Sequence, residues 1–227
     1  MREPVVLSWS GGKDSSLALA ELRADPRLEV VGLLTSVTRG YDRISIHGVR
    51  RALLEAQARA IGLPLYEIAL EPECSNDAYE AAFRSAAERL RAVYPSLERI
   101  AFGDLFLADV RAYRERLVAL IGLGAEFPLW GRDTGELAAH FVASGYRARL
   151  VCVDTTQLAA SFAGRAFDAD LLAELPPTVD PCGERGEFHT FVSDGPIFAE
   201  AVPHVAGEVV VRDGRFAYCD LLIAASA

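Results

Sequence analysis

Residues 10–16 combine glycine, serine, lysine and aspartate in a pattern that suits the binding of a phosphate group. They follow an apolar run at 4–9, typical of a buried strand, and overlap residues 15–22, whose apolar spacing predicts a helix. A turn between a strand and a helix presents backbone N–H groups at a helix N-terminus, which stabilises anions. Gly11 and Gly12 let the backbone approach a ligand without an intervening Cβ.

Lys13 lies within this loop and is the only lysine among the 23 basic residues of the chain. The compact ammonium of lysine and the planar fork of arginine are not interchangeable at phosphate sites. We therefore expect Lys13 to face a phosphate, with chance as the alternative. Ser10, Ser15 and Ser16 are further candidate donors.

Two better-known phosphate-binding loops do not fit the sequence. A Walker A loop needs glycine where this chain has Leu7, and serine or threonine where it has Asp14. The dinucleotide fingerprint separates its first two glycines by one residue, whereas Gly11 and Gly12 are adjacent.

Residues 180–191 form a second polar constellation, in which two Gly-Glu pairs precede His-Thr. Because the glycines interrupt any regular element, we expect Glu184 and Glu187 to project from a turn and to converge on a cation. His189 has a side chain suited to general base catalysis near neutral pH. An exposed polar turn with a hydrogen-bonded histidine fits the same residues, and both interpretations stay open at this point.

The elements that must position these residues alternate between strand and helix in the first half. Strands are predicted at 4–9, 28–34, 65–70 and 99–102, with amphipathic helices between them. Such alternation predicts an α/β fold with a doubly wound parallel sheet. Ligands bind at the carboxyl ends of its strands, where the glycine loop lies.

Gly122, Gly124 and Pro128 mark a boundary between a domain at 1–125 and a smaller α/β part at 126–227. In the second part, a helix is predicted near 134–144, a strand at 149–153 and a helical stretch that ends at 175–177. Apolar runs on both sides of Asp213-Gly214 predict a β-hairpin.

Composition narrows the class of protein. The chain has 227 residues and a formal net charge of −9, which disfavours broad contact with nucleic acid. No apolar run reaches about 18 residues, and we expect neither a membrane span nor a signal peptide. The four cysteines and four histidines are scattered, which indicates reduced thiols in a cytoplasm and makes a zinc site held by protein alone unlikely on spacing.

The loop resembles the SGGxDS signature of the PP-loop ATP pyrophosphatases, which cleave ATP to AMP and pyrophosphate. The match is complete at Ser10, Gly11, Gly12, Asp14 and Ser15. Residues 182–190 resemble the Gly-Glu-x-Gly-Glu-aromatic-(His/Glu)-Thr signature of the diphthine–ammonia ligase family. Supporting similarity follows in order at 41–49, 62–66, 102–111 and 128–132. Eukaryotic members carry C-terminal extensions, which we do not expect here.

This resemblance implies a PP-loop (HUP-type) ATP-binding domain and a C-terminal substrate-binding domain. It implies ATP-dependent amidation of the diphthine carboxylate on translation elongation factor 2. The implied cofactors and partners are ATP, Mg²⁺, ammonium and an acceptor carboxylate, which a protein can carry. The carboxylate becomes an acyl-adenylate, pyrophosphate leaves, and ammonia then displaces AMP. A homo-oligomer is possible. The high ratio of arginine to lysine is typical of GC-rich bacteria, and a bacterial source would require an acceptor other than diphthine.

The resemblance also implies roles for individual residues. Candidate catalytic residues are Lys13, Asp14, Glu184, Glu187 and His189. Candidate nucleotide contacts are Ser10, Gly11, Gly12, Lys13, Asp14, Ser15, Ser16, His47, Gly103 and Asp104, with Asp14 also the candidate Mg²⁺ ligand. Candidate substrate contacts are Cys182, Gly183, Glu184, Gly186, Glu187 and Thr190. For His47, a place in the core or on the surface is an equal alternative.

Two other functions stay open. One is a tRNA-modifying PP-loop enzyme, which the acidic charge and the absence of a cysteine pair disfavour. The other is a non-catalytic adenine-nucleotide sensor, which would need only the phosphate-binding loop.

Overall fold

A computed structural model of the chain describes residues 2–40, 43–44 and 48–224. The strands described in the first half are β1 (Glu3–Ser8), β2 (Leu28–Thr38), β3 (Arg43–Ile44), β4 (Leu65–Leu70), β5 (Arg99–Ala101) and β6 (Gly124–Glu126). Five of them are parallel, in the spatial order β4-β2-β1-β5-β6, and β3 pairs antiparallel with the end of β2. The predicted parallel α/β sheet is confirmed.

Four helices pack on this sheet: α1 (Lys13–Ala24), α2 (Arg51–Ile61), α3 (Asn76–Val93) and α4 (Ala108–Ala119). Strand β1 shows that both faces are covered, because successive side chains of a strand point to opposite faces. Val5 and Leu7 join the core cluster that includes residues of α1 and α2, while Val6 joins the cluster with residues of α3 and α4. The sheet is therefore doubly wound. Within the described part of the chain, none of the helices combines the length and apolar character that crossing a membrane requires.

The second half adds helices α5 (Thr134–Ala143) and α6 (Ala169–Glu174) and an antiparallel sheet. Its strands are β7 (Arg147–Asp154), β8 (Phe188–Asp194), β9 (His204–Arg212) and β10 (Phe216–Ile223), in the order β8-β7-β10-β9. The predicted hairpin around Asp213 and Gly214 is confirmed as β9 and β10. This sheet shares one hydrophobic core with α1 and α2, so it lies against the side of the molecule that carries the glycine loop.

Three strands were not predicted. Strands β3 and β6 have only two and three residues, too few for a periodic pattern. Strand β8 covers His189 and Thr190, which the sequence placed in an irregular polar stretch. It pairs antiparallel with β7, so its polar residues have positions set by a sheet rather than by a flexible turn.

Candidate functional site

The glycine loop lies between the carboxyl end of β1 and the first turn of α1, as predicted. Gly11 has φ +77°, and a Cβ there would come within 2.7 Å of Gln57 and Leu54. A Cβ on Gly12 would lie 3.0 Å from the carbonyl oxygen of Thr190 in β8. Both glycines are therefore required by the close approach of the loop to α2 and to the second sheet.

The serine hydroxyl groups of the loop form most of their hydrogen bonds with other groups of the loop. Ser10 Oγ and Ser15 Oγ hydrogen-bond at 3.1 Å, and the Gly12 N–H donates to Ser10 Oγ at 3.3 Å. Ser16 Oγ donates to the Gly12 carbonyl at 3.0 Å and is fully buried. Ser10 and Ser15 line the cavity beside the loop, whereas Ser16 is not among its lining residues.

The side chain of Lys13 joins the two halves of the molecule. Its ammonium donates to Asp14 Oδ2 at 2.9 Å and to the Cys182 carbonyl. It also lies 5.4 Å from the ring centroid of Phe188 and 5.9 Å from that of Phe167. Burial alone would lower the pKa of Lys13, but the charges of Asp14 and its neighbours outweigh burial, and the pKa is raised. Lysine therefore stays charged although it is only 3% exposed.

Three carboxylates approach the same cavity: Asp14, Asp104 and Glu184. Burial raises the pKa of Asp14 even against the opposing charge of Lys13, and burial also raises the pKa of Asp104. Burial likewise raises the pKa of Glu184 to about 7. Among the described residues, Asp14 Oδ1 is a buried oxygen without a hydrogen-bond partner. The cavity therefore favours a cation, which would stabilise the charged form of all three.

The loop that follows β5 positions both Asp104 and Glu184. Gly103 permits this arrangement, because a Cβ there would lie 3.1 Å from the Asp14 backbone. The Leu105 N–H donates to Glu184 Oε1 at 2.8 Å. Arg114 of α4 lies with its Nε 3.8 Å from Asp104 Oδ2. The loop after β5 thereby connects the first sheet to the Gly-Glu stretch.

Glu187 differs from the expectation that it projects toward a cation together with Glu184. It is only 1% exposed, and its carboxylate accepts the N–H groups of Asp180 and Arg185, both at 2.9 Å. Glu184 lines the cavity, whereas Glu187 does not. The physical reason is that the tight turn leaves backbone donors inside, which must find acceptors. Glu187 therefore stabilises the turn by accepting hydrogen bonds from its buried backbone N–H groups.

The glycines and Cys182 of this stretch also have definite structural positions. Gly183 has φ +67°, and a Cβ there would lie 2.8 Å from the Phe188 carbonyl, while Gly186 has φ +85°. Cys182 Sγ donates to the Thr134 carbonyl at 3.3 Å, and burial raises the pKa of this thiol to about 12. Cys182 therefore contributes its carbonyl group to the site rather than a thiolate.

His189 and Thr190 reach the cavity from β8. Burial, with a contribution from the charge of Lys13, lowers the pKa of His189 to about 4. The imidazole is therefore neutral at neutral pH and a weaker base than expected from sequence. Thr190 Oγ1 accepts the Lys13 N–H at 3.0 Å.

These groups surround a cavity of about 220 Å³. It brings together most of the residues that the sequence singled out: Ser10, Gly12, Lys13, Asp14, Ser15, Gly103, Asp104, Cys182, Gly183, Glu184, Gly186, His189 and Thr190. Gly11, Ser16 and Glu187 lie outside its lining, and His47 lies outside the described residues. A loop at one helix N-terminus and a turn more than 160 positions later thus form one site.

Comparison with known proteins assigns the chain to a family. The family model described as the diphthamide synthase N-terminal domain matches residues 2–125, and that of the diphthamide synthase C-terminal domain matches residues 133–216. The chain belongs to the diphthamide synthase family.

Curated relatives agree with this membership. The chain is 26% identical to the diphthine–ammonia ligase of Schizosaccharomyces pombe over 88% of its own length and 37% of the relative. It is 25% identical to the Saccharomyces cerevisiae enzyme over 91% of its length and 35% of the relative. With the human diphthine–ammonia ligase, the identity is 26% over 89% of the chain and 83% of the relative. The chain therefore spans little more than a third of the length of the two yeast relatives.

The sequence did not point to two residues, Gln57 and Asp180, that support the candidate site of this diphthamide synthase family member. Gln57 is fully buried, accepts from Trp9 Nε1 at 3.0 Å and donates to the carbonyls of Gly11 and Val192. Asp180 accepts the N–H of Cys182 at 2.9 Å and the Thr134 hydroxyl at 2.7 Å. A polar residue on the inward face of an apolar helix was the available signal for Gln57.

A larger hollow of about 300 Å³ lies elsewhere, lined by residues of α2, β4 and α3. Its charges neutralise one another, since Arg51 Nε lies 2.6 Å from Glu67 Oε1 and 3.3 Å from Glu55 Oε1. The smaller cavity at the glycine loop is bordered by three carboxylates, and Asp14 Oδ1 has no hydrogen-bond partner among the described residues, so this cavity is the candidate site.

Proposed function

We propose that this chain is an ATP-dependent amide-forming ligase that activates a carboxylate as an acyl-adenylate and transfers it to ammonia. The observation that carries the proposal is the shared cavity, in which a PP-loop meets the second Gly-Glu stretch through the Lys13 ammonium. Family membership supports the same function, and the relatives are named diphthine–ammonia ligase. The division into an ATP-binding domain at 1–125 and a substrate-binding domain at 126–227 is part of the proposal.

The glycine loop would hold the phosphates of ATP. The N-terminal end of α1 favours negative charge, and the hydroxyls of Ser10 and Ser15 lie in the cavity. When a carboxylate oxygen attacks the α-phosphate and the bond to the β-phosphate breaks, charge grows on the departing pyrophosphate. Lys13 supplies a fixed positive charge beside that position, which lowers the barrier electrostatically.

The carboxylates fit a magnesium ion that accompanies ATP. Asp14 supports the presence of such an ion. Its Oδ1 is buried and has no hydrogen-bond partner among the described residues, and Asp14 borders the cavity. Asp14 and, from the neighbouring strand end, Asp104 would hold the ion, which screens the charge of the phosphate oxygens when bound.

Ammonium would bind beside Glu184. A carboxyl group with a pKa near 7 exchanges protons readily at neutral pH, so we assign Glu184 rather than His189 as the group that takes the proton of ammonium. The free ammonia then attacks the acyl carbon, and the bond between that carbon and the AMP oxygen breaks. AMP leaves, and the amide nitrogen loses its second proton to solvent.

The acceptor depends on the organism. Where diphthamide is made, we propose the diphthine carboxylate of translation elongation factor 2, and in a bacterium a different carboxylate. We place the reaction in the cytoplasm, where the four cysteines, all free in the structure, stay reduced.

The test is an incubation with ATP, Mg²⁺, ammonium and carboxylate acceptors, with the nucleotide products separated by chromatography. AMP and pyrophosphate in equal amounts are expected with the correct acceptor. Formation of ADP and phosphate would refute the assignment. Tight nucleotide binding without turnover on any acceptor would indicate a sensor instead, and turnover only with tRNA would indicate an RNA-modifying enzyme.

A further inference from the structure

Strand β9 is a free edge of the second sheet with exposed apolar side chains. It pairs only with β10 in the order β8-β7-β10-β9 of the described strands. Val205, Val209, Val210 and Val211 are between 43% and 52% exposed. Natural proteins usually protect such an edge with charges, proline, β-bulges or a covering element, because its unpaired backbone groups can pair with another chain. Strand β9 has a bulge at Gly207 and Glu208, and its regular free edge is the part from Val209 to Arg212.

The two faces of β9 carry different residues. Val211 lies opposite Ala217 and Val209 opposite Cys219, and both of these β10 residues are buried. Val210 lies opposite Tyr218 and therefore points to the other face. Because side chains alternate along a strand, Arg212 shares the face of Val210. A β-bulge follows in which Gly207 and Glu208 together lie opposite Asp220, so Glu208 also keeps the face of Val210.

We propose that a second copy of the chain pairs with β9 in antiparallel orientation, about a two-fold axis through Val210. In this register, Glu208 lies directly opposite Arg212 of the partner subunit, and Arg212 opposite Glu208 of the partner subunit. Val209 lies opposite Val211 of the partner subunit on the other face. Opposite charges and β-branched residues placed directly across two strands stabilise the pair, and a two-fold axis uses each contact twice.

The charges select this register over its neighbours. A slip of the axis to Val209 or Val211 places Glu208 or Arg212 opposite a valine. A further slip to Glu208 or to Arg212 brings like charges directly opposite one another, which is destabilising. Two other charged side chains of the hairpin are paired within the subunit: Asp220 with Arg50 and Arg215 with Asp154, both at 2.6 Å.

The backbone suits the same pairing. The Arg212 carbonyl accepts the Arg215 N–H at 3.0 Å within the hairpin turn. Since backbone groups of a strand alternate in direction, the N–H and carbonyl groups of Val209 and Val211 point toward the free edge. In the proposed register these two residues exchange hydrogen bonds with their counterparts across the axis.

The dimer would form one continuous eight-stranded sheet and leave the cavity open. Strand β8, which contributes His189 and Thr190 to the cavity, lies at the opposite edge of the sheet from β9. The inference does not depend on the proposed function, since assembly is measured without substrate.

Charge exchange tests the proposal by light scattering coupled to size-exclusion chromatography, over a range of protein concentrations. The unaltered chain is expected to be a dimer. Glu208→Arg and Arg212→Glu should each give monomers, and the double variant Glu208→Arg/Arg212→Glu should be a dimer again. Glu88→Arg on α3 makes the same change of net charge away from β9 and should stay dimeric. An unaltered chain that is monomeric at every concentration, or single variants that stay dimeric, would overturn the proposal.

A cysteine at the axis tests the register independently. Val210 would face Val210 of the partner subunit as a pair without mutual hydrogen bonds, with Cα atoms about 4.5 Å apart, which a disulfide can span. Oxidised Val210→Cys protein should run as a linked dimer on a non-reducing gel. Val205→Cys and the unaltered chain are the controls and should stay monomeric on the gel. Equal cross-linking of the two variants would reject the register.

Discussion

The backbone N–H of Lys13 donates to Oγ1 of Thr190 across 177 positions of sequence, at a distance of 3.0 Å. The first residue of α1 is thereby tied to the second sheet. The Val192 N–H makes a parallel connection, donating to the Gly11 carbonyl at 2.9 Å. The shape of the glycine loop thus depends on β8 as much as on β1.

Thr190→Val should destabilise the protein by about 1–3 kcal/mol, because it leaves the buried Lys13 N–H without an acceptor. Urea unfolding monitored by circular dichroism measures this change. Thr190→Ser keeps the hydroxyl group and is the matched control, expected to lose less. Equal losses for valine and serine would show that the methyl group matters rather than the hydrogen bond.

Lys13→Arg should lower turnover by about tenfold or more, since a planar fork does not fit where the ammonium contacts Asp14 and the Cys182 carbonyl between two rings. Release of pyrophosphate measures turnover, and the thermal unfolding temperature reports folding. Arg116→Lys on the exposed face of α4 is the control for exchange between the two cations. Unchanged turnover in Lys13→Arg would mean that the single lysine is a matter of chance.

Glu184 and Glu187 should respond differently to the same substitution. Glu184→Gln should raise the KM for ammonium and lower kcat without loss of stability at neutral pH, because Glu184 faces the cavity and burial disfavours its ionised form. Glu187→Gln should cost about 1–3 kcal/mol of stability, because an amide NH₂ group would face one of two backbone donors. Steady-state kinetics and urea unfolding of both variants separate the two roles. A stable but inactive Glu187→Gln protein would instead give Glu187 a direct role in the reaction.

The pH dependence of stability should contain two opposing contributions between about pH 4 and pH 7. The pKa of His189 is lowered from 6.5 to about 4, so the unfolded chain takes up a proton first and stability falls as the pH drops from 6.5. The pKa of Glu184 is raised from 4.5 to about 7, so its contribution is present below pH 4.5 and is lost as the pH rises toward 7.

Single variants separate these contributions, each on the order of 1–3 kcal/mol. In Glu184→Gln, stability should rise more steeply with pH across this range, because only the contribution of His189 to the pH dependence remains. In His189→Asn, stability should fall with rising pH. Urea midpoints at half-unit pH intervals measure both slopes, and identical slopes in the two variants would contradict the assignment.

Local patterns predicted the elements well but could not predict how distant elements meet. The buried run at 65–70 is the strand Leu65–Leu70, and the hairpin follows Asp213-Gly214 as expected. Strand β8 was missed because His189 and Thr190 are polar, and their burial comes from packing against the glycine loop of the other half. The same reason hid Gln57, whose three hydrogen-bond partners come from β8, the glycine loop and the residue after β1.

The sequence predicted which residues lie near the candidate site better than it predicted which way their side chains point. The residue types around Glu184 and Glu187 indicated a cation, but the spacing of two glutamates does not tell which carboxylate turns inward. That choice depends on the backbone donors of Asp180 and Arg185, which exist as unsatisfied groups only once the turn has formed.

The contacts of β8 with the glycine loop also set a sequence of events during synthesis on the ribosome. Gly11, Lys13 and Gln57 emerge early, yet their hydrogen-bond partners Thr190 and Val192 are among the last fifth of the described residues to be made. A nascent chain can therefore form the parallel sheet while its glycine loop still lacks these partners. Completion of the candidate site is thereby deferred to the final stage of synthesis by the order of the chain itself.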